Sequence, residues 1–551
     1  MLAPERRSQE QENSMSVLTE LKRRHVVRVL IAYAIAGWVV VEGVDVIFPG
    51  LGMPAWVGSV VTWAYVLGFV PVAVLAWIFE WTPEGLQRDF GLSGPMPEEN
   101  SIAVLPFVNM SDDPGNTYFS EGISEELLNL LAKIPELHVA ARTSSFSFKG
   151  ESIDIPSAAG RLNVANILEG SVRKVGDRVR ITVQLVNAAS GYHLWSQTYD
   201  RTLEDIFAIQ DEIGRSVVDA LKINLLGEVP TVTETDPQTF ALYLQGIYLS
   251  TSGERDNFDE AVHVFEEALR RDPEYAPAWS GLAHAYWYQI SYSVADREER
   301  IKKAIDASER ALVLDDSRAE SYAVKALLSL SYDREWSRAE AAIRRGLEIA
   351  PGSAPVVIQA GHLAQAQGRL DDAERHLRRA VALDPLNTTG HIWLSMVLVS
   401  RDRLDEAIDI LGHVLTLNPK RAVAHQLLGR IHLLRGESQT ALEEMEKEPA
   451  AFWRRYGMNL ALFAAGRQEE ANALLQELID GIDETMAFFQ IAESLAFRHR
   501  EDEAFEWLEK AYEHRDDGLM EMMTSPFLRP LHTDARWRAL LEMMGLRQSP
   551  G

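Results

Sequence analysis

The stretch 351–384, PGSAPVVIQAGHLAQAQGRLDDAERHLRRAVALD, runs without a gap into 385–418, PLNTTGHIWLSMVLVSRDRLDEAIDILGHVLTLN. Pro351, Pro385 and Pro419 stand 34 residues apart, as do Ala373, Ala407 and Ala441, and likewise Gly361, Ser395 and Gly429. A period of this length predicts two antiparallel helices per unit, stacked on copies of themselves. Small residues recur because helix axes approach closely only where side chains are short. Proline closes each unit because it cannot continue a helix.

Such a unit is the tetratricopeptide signature, and other stretches fit it. Trp279-x-x-Leu282-Ala283-x-x-Tyr286 reads as a first helix, with Ala304 and Ala311 in the second after an insertion. Ala261, Phe265, Ala268 and Pro273 serve the preceding repeat, and Ile491-Ala492-x-x-Leu495 with Ala504, Leu508 and Ala511 make a late one. Residues 236–518 hold about eight pairs. Residues 519–551, with Pro526-Phe527-Leu528 and Trp537, read as a cap on the last face. Residues 226–235, with Gly227 and Pro230, read as a linker.

Residues 101–225 have a different period. Ile102-Ala103-Val104-Leu105, ended by Pro106, is a buried strand. Ser124 precedes a helical stripe of Leu127, Leu128, Leu131 and Ile134, followed by a strand near 137–141 and a short helix at 155–162. Val179, Ile181, Val183 and Leu185 alternate with polar residues, the mark of a half-buried strand. Gly176-Asp177 and Ser190-Gly191 supply hairpin turns to the strands on either side. Thr202 and Asp205 form a capping box before a stripe of Ile206, Ile209, Ile213, Val217 and Leu221. The order is β-α-β-α-β-β-β-α.

Several of these stretches resemble a known bacterial module. They are Ser101-Ile102-Ala103-Val104-Leu105-Pro106-Phe107, Tyr118-Phe119-Ser120-Glu121-Gly122-Ile123, Arg142-Thr143-Ser144-Ser145-Phe146, Leu168-Glu169-Gly170-Ser171-Val172-Arg173 and Leu203-Glu204-Asp205-Ile206-Phe207. The module is the TolB-amino-terminal-like, or FlgO-type, domain. Glu20-Leu21-Lys22-Arg23-Arg24 through Phe79-Glu80-Trp81-Thr82-Pro83-Glu84-Gly85-Leu86 is similar to the membrane hairpin that accompanies it. The resemblance implies a place behind an adenylate cyclase or winged-helix domain and ahead of tetratricopeptide repeats. This chain departs from those versions, because the residues before the hairpin are too few for such a head.

The hairpin reading also rests on hydropathy. No charge occurs from Val46 to Phe79, and Ala55–Phe79 is 25 residues, long enough to cross a hydrocarbon core of about 30 Å. Trp56, Trp77 and Trp81 sit near its ends, where indoles favour the interface. Val26–Phe48 is apolar apart from Arg28, Glu42 and Asp45. A buried soluble helix for the second run and a cleaved signal peptide for the first are the alternatives. Residues 26–81 are therefore expected to form a two-helix anchor in a bacterial inner membrane, contacting the lipid bilayer. A cytoplasmic segment, 1–25, precedes it and a joint, 82–100, follows. Lys22, Arg23, Arg24 and Arg28 place the start in the cytoplasm. Two crossings return the later domains there, with a periplasmic location as the alternative. The expected fold class is multidomain: a transmembrane helical hairpin, a small α/β domain and an all-α tetratricopeptide-repeat solenoid.

Composition bounds the chemistry. The 551 residues carry 54 basic and 81 acidic side chains, a net charge of −27, which repels nucleic-acid phosphates. No cysteine is present, so disulfides, thiolate-bound metals and cysteine nucleophiles are excluded. No phosphate loop, dinucleotide turn, HExxH helix or nucleophile elbow occurs. His425 and His432, Asp371-Asp372 and Glu444-Met445-Glu446 read as packing or solvated helix residues. No catalytic residue, metal or cofactor is expected. Stacked repeats make a concave groove lined by the first helix of each pair. The 34-residue frame puts His284, His362, Gln365, Met396, Gln426, Arg430, Trp453 and Tyr456 on it, unless they only pack between repeats. The expectation is a non-enzymatic scaffold whose groove binds a protein or peptide partner. The alternative is a regulatory or sensory partner in a cyclic-nucleotide or transcriptional signalling system.

Overall fold

The computed structural model describes residues 98–546, apart from 135, 150–153, 224–229, 252–254, 293–295 and 334, together with 79–82, 85–88 and positions 33, 63 and 68. The chain forms two compact units, Met1–Pro95 and Met96–Gly551.

In the first unit the expected transmembrane hairpin is corrected. Among the described residues, no helix is long and apolar enough to cross a membrane. Most of residues 26–81 lie outside the described residues. At the far end, Phe79–Thr82 is a strand, β1, paired antiparallel with Gly85–Arg88, β2, in the register Thr82↔Gly85. Phe79 and Trp81 alternate there with Glu80 and Thr82, a period of two that suits a strand rather than a helix end. The inner-membrane location, its cytoplasmic topology and the bilayer contact rested on that hairpin and are not supported.

The second unit begins with a mixed sheet. Its strands are β3 (Ser101–Val104), β4 (Val108–Asn109), β5 (His138–Val139), β6 (Asn166–Val175), β7 (Arg178–Asn187) and β8 (His193–Thr202), in the order β5-β3-β6-β7-β8, with β4 also on β6. β3 lies parallel to β5 and β6, and β6, β7 and β8 run antiparallel. Of the Gly176-Asp177 pair, only Gly176 takes a positive φ, +59°, the pattern of a type II′ turn. The alternating β7 side chains Val179, Ile181, Val183 and Leu185 are fully buried.

Helices α1 (Thr117–Ala132), α2 (Arg142–Phe146), α3 (Ile155–Leu162) and α4 (Ile206–Ala220) complete the module. α1 begins a full two turns before Ser124, where the sequence reading starts it. Asp113 caps a 3-10 turn, Pro114–Asn116, that launches the helix early. Ser124 is instead buried inside α1, accepting from the Phe107 amide at 2.7 Å. At the other end, Thr202 and Asp205 satisfy each other's backbone amides as a capping box.

Eight helix pairs follow among the described residues. They are α5 (Pro237–Thr251) with α6 (Arg255–Arg271), α7 (Ala276–Tyr292) with α8 (Arg297–Leu314), and α9 (Ala319–Leu328) with α10 (Trp336–Ile349). Next come α11 (Ala354–Ala366) with α12 (Leu370–Leu383), α13 (Thr388–Ser400) with α14 (Leu404–Leu417), and α15 (Ala424–Leu434) with α16 (Ser438–Glu446). Last are α17 (Ala451–Ala464) with α18 (Gln468–Asp480), then, after the short α19 (Ile482–Thr485), α20 (Phe488–Phe497) with α21 (Glu501–Glu513). Within pairs, a Cβ on Gly361 would lie 2.6 Å from Leu377, and one on Gly429 2.6 Å from Met445. Both glycines therefore let a large side chain of the second helix sit against the first helix's backbone.

The module is not a bead on a string. Its core is continuous with α5 and α6, where Phe207 meets Phe240 edge-on at 4.9 Å and Tyr243 donates to Glu126 at 2.8 Å. A second contact lies 240 residues away. The buried Asp384, between α12 and α13, accepts from the Ser144 amide at 3.1 Å and from its hydroxyl, and that hydroxyl accepts from the Leu386 amide at 2.8 Å.

Ala407 is fully buried where α14 crosses its partner. Replacing it with Phe is expected to overpack that crossing and cost about 1–3 kcal/mol. The loss of amide protection should centre on residues 385–440, and hydrogen exchange unchanged there would contradict the crossing.

Candidate binding groove and α/β cleft

The first helices of the pairs present a row of side chains, and part of this row, on α11, α13, α15 and α20, is already covered. After α21 the chain turns at Asp516, whose carboxylate accepts from the amides of Phe489 and Gly518, both at 2.8 Å. Two 3-10 turns follow, Asp517–Glu521 and Pro526–Thr533, the second capped by Ser525 with Pro526 in its first turn. These turns run back along α20, α15, α13 and α11. Only then does the short α22 (Ala535–Met543) pack Trp537 and Leu540 against the last helix pair, as a cap.

The contacts of that segment are specific. Arg430 of α15 donates to Glu493 of α20 at 2.9 Å, with both groups buried. Ser525 donates to the same Glu493 carboxylate oxygen, and Tyr456 donates to the other at 2.6 Å. The Arg430 guanidinium lies 4.9 Å over the Phe527 ring, which in turn meets Phe497 edge-on at 5.0 Å. Ser400 of α13 donates to the Thr524 carbonyl at 2.6 Å, and Gln365 of α11 donates to the Thr524 hydroxyl at 3.4 Å. Met520 reaches into the cluster formed by α9, α10 and α11. Gly368 closes α11 at φ +71°, and a Cβ there would come within 2.9 Å of Met523.

The eight residues expected in the groove divide accordingly. Gln365, Arg430 and Tyr456 are drawn into the network of the C-terminal segment, and Met396 lines a void of about 20 Å³ beside Glu521. His362 is buried against Trp393, ring centroids 3.7 Å apart, and its burial pulls the imidazole down to about 3. His284 lies toward the α/β module. Burial, with the Arg142 guanidinium, holds its ring at about 4. Gln426 is buried, its backbone amide held by Glu448 at 3.3 Å, and half-buried Trp453 packs on Phe452. Sequence reasoning missed Glu493 and Ser525. Ser525-Pro526, a cap residue before proline, is the one signal that marks the second turn in advance.

A second concavity, about 720 Å³, opens on the α/β module. Pro106 and Phe107 form one wall, Glu169, Gly170 and Ser171 of β6 another, and the Glu121–Lys149 ion pair, at 2.8 Å, a third. Among the described residues, no group of three or more His, Asp or Glu is placed to hold a metal ion.

Residues 253–319 and 358–419 match the tetratricopeptide repeat family, so these stretches are tetratricopeptide repeats. Over 273 residues, 48% of this chain, the sequence is 34% identical to "Putative adenylate cyclase 3" of Rhizobium meliloti (strain 1021). The chain spans about half of that relative's length, 46%. Among solved structures it is similar to a human IFIT1 dimer with m7Gppp-AAAA, at 15% identity, covering 56% of this chain and 78% of that one with a TM-score of 0.36. It is also similar to TTC0263, a thermophilic TPR protein of Thermus thermophilus, at 21% identity, covering 35% and 99% with a TM-score of 0.31. At those scores neither likeness carries a functional argument.

The charges of the network can be tested directly. Arg430→Ala leaves the Glu493 carboxylate buried without its counter-ion and is expected to cost about 3–5 kcal/mol in urea unfolding. Pairing it with Glu493→Gln should recover part of that loss. If the single change costs no more than a surface substitution, the pair is not buried in solution.

A further expectation concerns pH. Burial pushes the Glu521 carboxyl up to about 8, helped by Glu493, Asp517 and Asp516 and opposed by Arg430. Asp516, buried beside Asp517 and opposed by Arg297, rises to about 7. The folded chain thus keeps protons that the unfolded chain releases near pH 4, and stability falls as pH rises from there through 8. Glu521→Gln should make that slope shallower by up to about 1.4 kcal/mol per pH unit, one proton's worth. Below pH 6.5 the buried imidazoles act in the opposite sense, since protonation favours the unfolded chain. Identical wild-type and Glu521→Gln profiles between pH 5 and 8 would refute the buried acid.

Proposed function

We propose that this chain is a non-enzymatic repeat scaffold that mediates protein–protein interaction through the inner face of its helix pairs. One observation carries the reading. The inner row ties Gln365 and Ser400 directly to an irregular segment at Thr524, and Arg430 reaches that segment's Ser525 and Phe527 as well as Glu493. That is how a groove holds a peptide: backbone and side-chain hydrogen bonds fix its course, and an aromatic anchor supplies buried area. In this reading the peptide groove comprises His284, His362, Gln365, Met396, Gln426, Arg430, Trp453 and Tyr456. The α/β domain, 101–225, and the cap, 519–551, frame the array of 236–518.

A second reading makes the chain a regulatory partner in a cyclic-nucleotide signalling system. The name of its Rhizobium meliloti relative favours it.

The experiment is selection of a displayed peptide library on the purified full chain, with nucleotide turnover assayed in parallel. Enriched peptides that lose binding with Ser400→Ala or Gln365→Ala are expected, with no conversion of ATP. Failure to enrich any sequence class, both on the intact chain and on the chain freed of residues 516–533, would overturn the scaffold, and cyclic AMP formation by the chain alone would overturn the non-enzymatic assignment. Modulation of a separate cyclase by added chain would move the assignment to the second reading.

A further inference from the structure

Residues 516–533 lie in the groove without belonging to its period. They form no α-helix, fall outside the 34-residue frame and meet first helices from several different pairs. Their fit is incomplete. His362 Nε2, Gln365 Oε1 and both side-chain polar atoms of Gln426 are buried with no protein partner. An unpaired buried polar atom costs about 1–3 kcal/mol, so the inner row has hydrogen-bonding capacity that its present occupant does not use. A small void remains between Met396, Leu427, Arg430 and Glu521.

We infer that residues 516–533 are an intramolecular stand-in for the groove's partner. The groove takes a peptide of the same chemistry, a Ser-Pro-aromatic turn with an acidic residue four positions before the serine. The chemistry is read from the occupant. Ser525 places a hydroxyl on Glu493, Pro526 starts the turn, Phe527 lies under the Arg430 guanidinium, and Glu521 lines the small void beside Met396. A competing peptide gains what the chain's own segment leaves unmade, the bonds to Gln426 and His362. The own segment has the advantage of being tethered, an effective concentration of about millimolar for a short linker. The groove is therefore closed until a partner outcompetes the tether or the segment is released. This rests on the scaffold reading and names the regulation of the same site.

The test separates tether from fit. Protease recognition sequences are inserted after Arg515 and after Thr533, both exposed, and the full chain is cut at both, so that α22 does not hold the released segment in place. The probe is a fluorescent synthetic peptide of residues 516–533. After cleavage the fragment is expected to leave on dilution, with helical circular dichroism retained. The probe should then bind at least about tenfold more tightly than to the uncut chain. A Ser525→Ala probe should bind about tenfold more weakly. A fragment that departs only when the helices unfold would overturn the inference and make the segment an integral part of the core. An uncut Phe527→Ala chain guards against a cut that merely unfolds the protein. It should gain probe binding while keeping its helical signal, and no gain would also overturn the inference. A dimer in which two copies have traded segments would overturn the intramolecular arrangement. The two failures read differently: a segment that never leaves the cut chain overturns this inference, whereas a chain freed of the segment that still enriches no peptide overturns the scaffold reading.

Discussion

Close approach of two helices at a residue with no side chain is the constraint on which the array depends. Gly361 against Leu377 and Gly429 against Met445 make the same contact in two different pairs. Each contact sets the separation of a pair, and the fully buried alanines Ala373, Ala407 and Ala441 do the same for the second helices. Stacking of such pairs turns short helices into a curved surface. The concavity that results is a by-product of packing.

The groups that tie distant segments to the array are acidic and buried. A chain with 81 acidic side chains would be expected to keep them in water. Yet Glu493, Asp516 and Asp384 are almost wholly buried. Each is tied by hydrogen bonds to something distant in sequence: Arg430 and Ser525, the Phe489 amide, and Ser144. The buried acids thus mark the places where segments outside the repeat period are attached to it. Uncompensated buried charge is costly enough that these attachments are made in one geometry or not at all.

The repeats were legible because they are local. A period of 34, small residues at fixed places and proline at the boundary are all properties of neighbouring residues. The β6–β7–β8 meander was legible for the same reason, through its alternation and its Gly176-Asp177 turn. The apolar run before Phe79 misled, since length without charge is necessary for a spanning helix and does not by itself specify one. At its end the two-residue alternation of Phe79 to Thr82 won. The eight residues expected in the groove fall on first helices of the pairs, but no periodic argument reveals that residues 516–533 return to Gln365 and Arg430. Pairings such as Gln365 with Thr524 or Ser144 with Asp384 carry no signature at either end.

Those long-range ties have a consequence for how the chain is made. The Trp336 indole of α10 donates to the Met544 carbonyl at 2.6 Å, and the Arg297 guanidinium of α8 donates to the Arg515 carbonyl at 3.4 Å. Domains fold from the amino terminus as synthesis proceeds, and a stack of local pairs can assemble as each pair emerges. The inner face, by contrast, stays uncovered until residues 516–533 have left the ribosome. For the interval in which some two hundred residues follow Trp336, the groove is open to solvent and to any other chain. The nascent protein is thus a different binding surface from the folded one, and emergence of residues 516–533 is itself the event that closes it.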